Sequence, residues 1–484
     1  MNNINDLFKK IFICIAFLFC CADVVVSQIP IWDVAGFNDI ANNPSGAYEL
    51  MQDIGPVTSP IAVPFTGTLQ GNGFKITVDI NSNATNVGLF SVLDDATIDS
   101  LIIDGQVTGG SNSQNVGGFV GLIIDGFIFG CTNLADVTGL SNASSVGGIA
   151  GSSNDVAFHQ CSNNGTITGG YAVAGIIGYS NANLKINIIR CKNAGIIQGI
   201  GESQYCMAGI IAYCEAAYMR IQHAVNIGRI LSSNSQYAGG LAAYLTGGLL
   251  PDIRIHESCN SGIVGGSTFI VGGIVGYTFG NFISGCLNTN WVDSGTAIYY
   301  GSVIGYNNTI SIVDRCYFDI QMSIHEGVGG GYAGFVEGRP TEELIGYRLQ
   351  NQIVGAWIYR DGLYPICATN NIIHPIELLA IAPIYLPYNE RENDVRNNFY
   401  VSNYGSTPPP FMMIPPPPKQ ILYPYLWGWH NPTFKAFSFM NYITISLPFA
   451  NNAIINGSGN GQDSIAVRLT TDPIFEKIIP INVR

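Results

Sequence analysis

The chain has 484 residues, of which 47% are hydrophobic and only 11% charged, with 58 glycines and a formal charge of −13. That apolar content excludes a generally disordered chain. The acidic balance excludes nucleic acid and anionic membrane surfaces as electrostatic partners.

In chain order, residues 1–28 read as a signal peptide. Lys9 and Lys10 give the positive region, Ile11–Cys21 the apolar core, and Ala22 or Ser27 the small residue for cleavage. The apolar run is too short to span a bilayer. Lipidation is disfavoured, because Phe19 precedes Cys20 and Cys20 precedes Cys21, where a small residue is needed. Asp6 and Asp23 cancel Lys9 and Lys10, so the charge survives cleavage. No later stretch is long and apolar enough for a transmembrane segment. The chain is therefore expected to be secreted or held at the cell surface.

Residues 29–86 look like the opening of a coil: YELMQDI from Tyr48, then FTGTLQGNGFKITVDI from Phe65, a strand, a glycine turn and a strand. From Val87 one phrase recurs: VGLFS, VGGFVG, VGGIAG, VAGIIGY, MAGIIAY, AGGLAAY, VGGIVGY and YGSVIGY. Its third residue falls at Leu89, Gly118, Gly148, Gly175, Gly209, Gly240, Gly273 and Ser302, in steps of 29, 30, 27, 34, 31, 33 and 29 residues. Such a period marks a solenoid. A Cys-x-Asn phrase follows in phase at Cys131, Cys161, Cys191 and Cys286; Ala224 fills the Cys place once, and Cys259 and Cys316 keep only the Cys. Glycines beside β-branched residues, in short runs parted by turn formers, exclude helical repeats. Three strands per turn are predicted, giving an all-β, right-handed, single-stranded parallel β-helix over residues 29–368. The phrase glycines are expected at its tight corners.

The succession Y-x-L-x-x-D-I, F-x-G-T-L-x-G-N-G-x-x-I, V-G-L-F, I-x-x-L-x-I-x-G-x-V and repeated V-G-G-I-V-G with C-x-N resembles secreted proteins carrying GLUG repeats. These occur in bacterial adhesin-like surface proteins and in the non-catalytic part of bacterial immunoglobulin-A proteases. The resemblance covers about residues 30–368 and includes the closing WIYRDGLYPIC, Trp357–Cys367. It implies a β-helical scaffold and does not by itself imply an activity.

Residues 369–419 are predicted to be a connector, with Pro408–Pro418 as a polyproline spacer or an ordered loop. Residues 420–484, with strand-like runs at Tyr442–Leu447, Ser464–Leu469 and Ile478–Val483, are expected to form a small β-sandwich-like module. It would cap the strand edges at the end of the coil, or serve sorting or attachment.

Nine cysteines remain beyond the predicted signal. Cys131, Cys161 and Cys191 lie one coil apart, where in-register side chains make poor disulfide torsions, so a buried thiol stack is expected. Cys206 and Cys214, if in one strand, lie roughly 26 Å apart and cannot bond. Asn133, Asn163, Asn193, Asn226 and Asn288 are expected to form a structural amide ladder, with glycan binding the lesser reading. HESCN at His256 and HEGVG at His325 lack the second histidine of a zinc protease, having Asn260 and Gly329 there. His159, His223, His374 and His430 are scattered, so no metal site and no cofactor are expected.

Asp125, Asp155, Asp252, Asp293, Asp314 and Asp319 show no alignment one or two rungs apart; Asp314, Arg315 and Asp319 come nearest and read as solvated turn residues or a surface ion pair. No calcium-loop, G-x-S-x-G or P-loop motif occurs. Tyr179, Tyr213, Tyr244, Tyr277 and Tyr306 share one phase and form either an outward contact strip or inward filler. Sequons at Asn83, Asn142, Asn164, Asn307 and Asn456 matter only in a eukaryotic source. The expected function is non-enzymatic: an exported surface or matrix protein of adhesin type, contacting a host or matrix protein or a glycan. A carbohydrate-active lyase or hydrolase is the alternative, or an accessory stalk related to immunoglobulin-A-type proteases.

Overall fold

The computed structural model describes residues 28–367, except 141–142, 144, 202–203, 233, 266–268, 309, 321, 324, 345 and 360–363, with the backbone alone at 182–184, 217, 248–252 and 341–342; it adds the backbone of strands between 384 and 483. The predicted signal peptide, His374, His430, the Asn142 sequon and Pro408–Pro418 lie outside the described residues.

Every pairing from Ile29 to Arg339 joins parallel strands of successive turns, so the chain forms the predicted β-solenoid. Each turn crosses three sheets of 16, 15 and 8 strands. The three runs per turn prove to be up to five segments. In one turn Asn115–Gly117 lies on the 8-stranded face, Val120–Ile123 and Gly126–Phe129 on the 16-stranded face, and Thr132–Asn133 and Asp136–Gly139 on the 15-stranded face. Later turns fuse the middle pair into long strands, Ile177–Ile189, Ile211–Gln222 and Ala242–His256.

Alternation along each strand sends the apolar residues inward. Ile98, Ile128, Phe158, Ile188, Ile221, Ile255, Ile283 and Val313 stack in register and belong to one continuous core. Burying each such side chain contributes about 1.5–3 kcal/mol, and every rung shares that contact with its two neighbours.

The tight corners are not where glycine was expected. Ser100, Gly130, Gln160, Arg190, His223, Glu257, Gly285 and Arg315 hold φ between 47° and 61°, one per turn, just before the Cys position. Six of these are not glycine, and each accepts a left-handed conformation imposed by the coil.

The start of the core is covered by Val34–Asn38, a short helix capped by the Asp33 carboxylate on the Gly36 amide at 2.8 Å. Its buried Phe37 packs on Phe90, and Phe90 stacks on Phe65. Near the other end, Trp357–Ile358 pairs antiparallel with Ile366–Cys367. Buried Tyr364 donates its hydroxyl to the Asp319 carboxylate. Asp319 is thus fully buried and not the solvated turn residue expected, whereas Asp314 and Arg315 do form a surface ion pair at 3.0 Å.

Beyond residue 383 the strands form two small sheets. Phe434–Ser438, Gly461–Leu469 and Glu476–Val483 are antiparallel, as are Gln420–Leu422, Asn452–Gly457 and Ile443–Phe449. Ile384–Leu386 pairs parallel with Glu476–Val483, so the segment predicted as connector contributes a strand.

Candidate functional site

The two sequence markers meet in one buried contact. Asn133, Asn163, Asn193, Asn226, Asn260 and Asn288 are each fully buried. Each Nδ2 donates to the Oδ1 of the next asparagine at 2.7–2.9 Å, until Asn288 donates to the Ser302 carbonyl at 2.8 Å. The second Nδ2 proton goes to the carbonyl two residues on, as from Asn193 to Gly195 at 3.1 Å. Both amide donors are therefore used, as burial requires. The phrase glycines face this ladder. A Cβ on Gly118, Gly148, Gly175, Gly209, Gly240 or Gly273 would run into the asparagine side chain of its own turn and the next glycine or serine carbonyl. Lack of space selects glycine here; none of these six has positive φ.

Asn260 is obscured in the sequence because Cys259, one place off the column, mimics the column cysteine. The register pairs Asn226 with Asn260 and Asn260 with Asn288. Ser258 therefore holds the Cys place, and its hydroxyl accepts from the Ala224 amide at 3.0 Å. The other thiols of the column point inward and donate to backbone carbonyls, Cys131 to Phe129 at 3.3 Å and Cys161 to Ile128 at 3.3 Å. Burial pushes the Cys131, Cys191 and Cys286 thiols well up. Cys206 and Cys214 do not share a strand: the chain turns between Cys206–Ala208 and Ile211–Gln222.

The tyrosines face outward. Tyr179, Tyr213, Tyr244, Tyr277 and Tyr306 occupy one register column and stack ring on ring, with centroids 4.9, 5.0, 4.9 and 5.9 Å apart and planes within 11°. They are half-buried. A second aromatic row, which the sequence reading missed, stands beside them. Tyr171, Tyr205, Tyr237, Phe269 and Tyr299 each come just before, or begin, the 8-stranded face's strand. Its signal is an aromatic three or four residues before the third residue of five successive phrases. Tyr237 meets Tyr244 edge-on at 4.8 Å, as Tyr299 meets Tyr306. Beneath lie the small buried residues Ala172, Ala174, Cys206, Ala208, Ala212 and Ala243, a cluster separate from the main core. The angle between two faces thus becomes an aromatic-filled groove along the rod. Burial raises the phenol pKa of Tyr205 and Tyr213, with Cys206 and Glu215 adding to it respectively, and takes Tyr244 to about 12.

Two polar groupings also depart from expectation. Asp95, Asp125 and Asp155 line one open depression on the 16-stranded face. Each precedes a residue of the register column Ala96, Gly126 and Val156, so these carboxylates do align on successive rungs; Lys185 follows in the same column. The histidines are not all scattered either. Glu257 bridges His223 at 3.1 Å and His256 at 3.7 Å, and His256 accepts from Arg220 at 3.1 Å. Burial lowers the pKa of both histidines. Among the described residues no three His, Cys, Asp or Glu side chains converge to hold a metal ion. Asp252 has no described side chain, and no described helix is long and apolar enough to cross a membrane.

No protein-family model and no curated protein matches the chain. Among solved structures, a "putative immunoglobulin A1 protease" from Bacteroides ovatus is similar at 14% identity, covering 70% of this chain and 92% of that one, with a TM-score of 0.35. A likeness of that size defines neither an activity nor a partner.

Proposed function

We propose that the chain is an exported, non-enzymatic surface or matrix protein of adhesin type, a GLUG-like β-solenoid that contacts a protein partner along its aromatic groove. The observation that carries this reading is the outward double row of rings from Tyr171 to Tyr306, partly exposed where earlier turns of the coil carry no aromatic. Clustered tyrosines enrich protein interfaces because each offers large area and a hydroxyl at small entropic cost. The stacking favours a protein over a glycan. In the main column the rings cover one another's faces, which a sugar ring would need to lie upon. What remains are ring edges and hydroxyls at the rung spacing.

The test exposes the purified mature chain to immobilised matrix proteins and a glycan array, with Tyr213→Ser/Tyr244→Ser alongside. Retention on protein, lost in the variant, supports the proposal; retention on glycans alone, or equal retention by the variant, overturns it.

One observation favours a second reading, a carbohydrate-active enzyme. Asp95, Asp125 and Asp155 line one depression on consecutive rungs whose backbones lie about 4.8 Å apart, a spacing that lets neighbouring carboxyl groups reach the separation of roughly 5 Å used by retaining glycosidases. Release of reducing or unsaturated sugar, abolished by Asp125→Asn, would establish that reading.

A further inference from the structure

We propose that Cys259 and Cys367 form a disulfide that clasps the closing hairpin to the outside of the solenoid. The inference stands apart from the contact surface and does not rest on it. The column cysteines are held inside the coil; Cys259 alternates with inward Ser258 and Asn260 and is absent from the inner core. It is nevertheless only 5% exposed, and Cys367 is fully buried. The two sulfurs lie 3.9 Å apart across 108 residues of sequence. Cys367 also donates to the Glu257 carbonyl at 3.1 Å, so its sulfur is fixed against this rung.

The rest of the hairpin docks around that point. Trp357 is paired with Cys367 and donates its indole N–H to the Val354 carbonyl at 3.0 Å. Gly285 and Gly355 leave room for the approach: a Cβ on the first would strike Val354, and on the second the Glu257 side chain. Hence two residues remote in sequence place unstacked thiols against each other where only a modest shift separates contact from a bond. Such a pair differs from the in-register column, whose parallel side chains give poor torsions.

The chemistry needs a disulfide oxidant, such as glutathione disulfide or an oxidised protein dithiol. One thiolate attacks it, giving a mixed disulfide and one released thiol. The second cysteine then displaces the other thiol; the two cysteine protons pass to the two released thiols, and the oxidant's disulfide takes up two electrons. Because both sulfurs are covered, oxidation takes place as the chain folds or the hairpin lifts.

The test refolds the full chain with and without glutathione disulfide, blocks free thiols and maps peptides by mass. The expected result is two fewer alkylated cysteines and one cross-linked peptide joining Cys259 to Cys367. Fragments from a single proteolytic cut between them should stay joined on a non-reducing gel. Cys259→Ser should remove the cross-link, whereas Cys161→Ser should keep it. Full alkylation after oxidative refolding, or a cross-link within the column, would overturn the proposal without bearing on the aromatic groove.

Discussion

The asparagine ladder and the tyrosine ladder share one period and differ in everything else. Inside, each amide spends both its protons on neighbours, and glycine is the only side chain that leaves it room. Outside, the rings stack as regularly, yet their column begins at Tyr179; the earlier turns place Leu122 and Ser152 at that position. The coil closes with or without the tyrosines, whereas the asparagines run from Asn133 to Asn288 without a gap. Repetition alone therefore does not separate structural residues from surface ones. What separates them is whether the fold fails when the residue changes.

The largest expected effect comes from the inner ladder. Gly175→Val drives a side chain into the Asn193 amide and the Gly209 carbonyl, and overpacking of this kind costs about 3 kcal/mol or more. Lost soluble yield and a lowered Tm would register it; unchanged melting would break the pairing of the two markers. Asn193→Leu strands the amides on both sides and should cost about 2–4 kcal/mol, read by chemical denaturation. Tyr244→Ser removes two stacking contacts and should cost about 1–2 kcal/mol while reducing partner retention most.

The pH response follows from the outer ladder. Phenols whose folded pKa is raised lose protons first in the unfolded chain, so stability is full below about pH 10 and falls as pH rises towards the Tyr244 value of about 12. Melting followed across that window should decline in wild type and decline less in Tyr205→Phe. The smallest effect belongs to the corners. Arg190→Gly relieves a φ of 58° and should be neutral or stabilising by up to about 1 kcal/mol, against the usual penalty for glycine.

The period, the parallel coil, the thiol column and the phase of the tyrosines were all legible, because stacking forces equivalent residues into equivalent places. The corners were not. Gln160, Arg190 and Glu257 carry no local preference for positive φ, which the turns above and below impose. The aspartate row is hidden in the sequence because the strand register, which sets Asp95 beside Asp125 and Asp125 beside Asp155, belongs to the fold. Asn260 was obscured by an outward cysteine one place away, a slip of a single residue that reverses which side of the strand each faces.

The inner ladder makes the rod, and the proposed contact lies along the aromatic groove. The most direct test measures binding of wild type and Tyr213→Ser/Tyr244→Ser to the same immobilised matrix proteins, with Tm recorded for both. The account predicts at least a tenfold loss of binding with both chains still folded. Undiminished binding by a folded variant would contradict it and turn attention to the Asp95–Asp125–Asp155 depression.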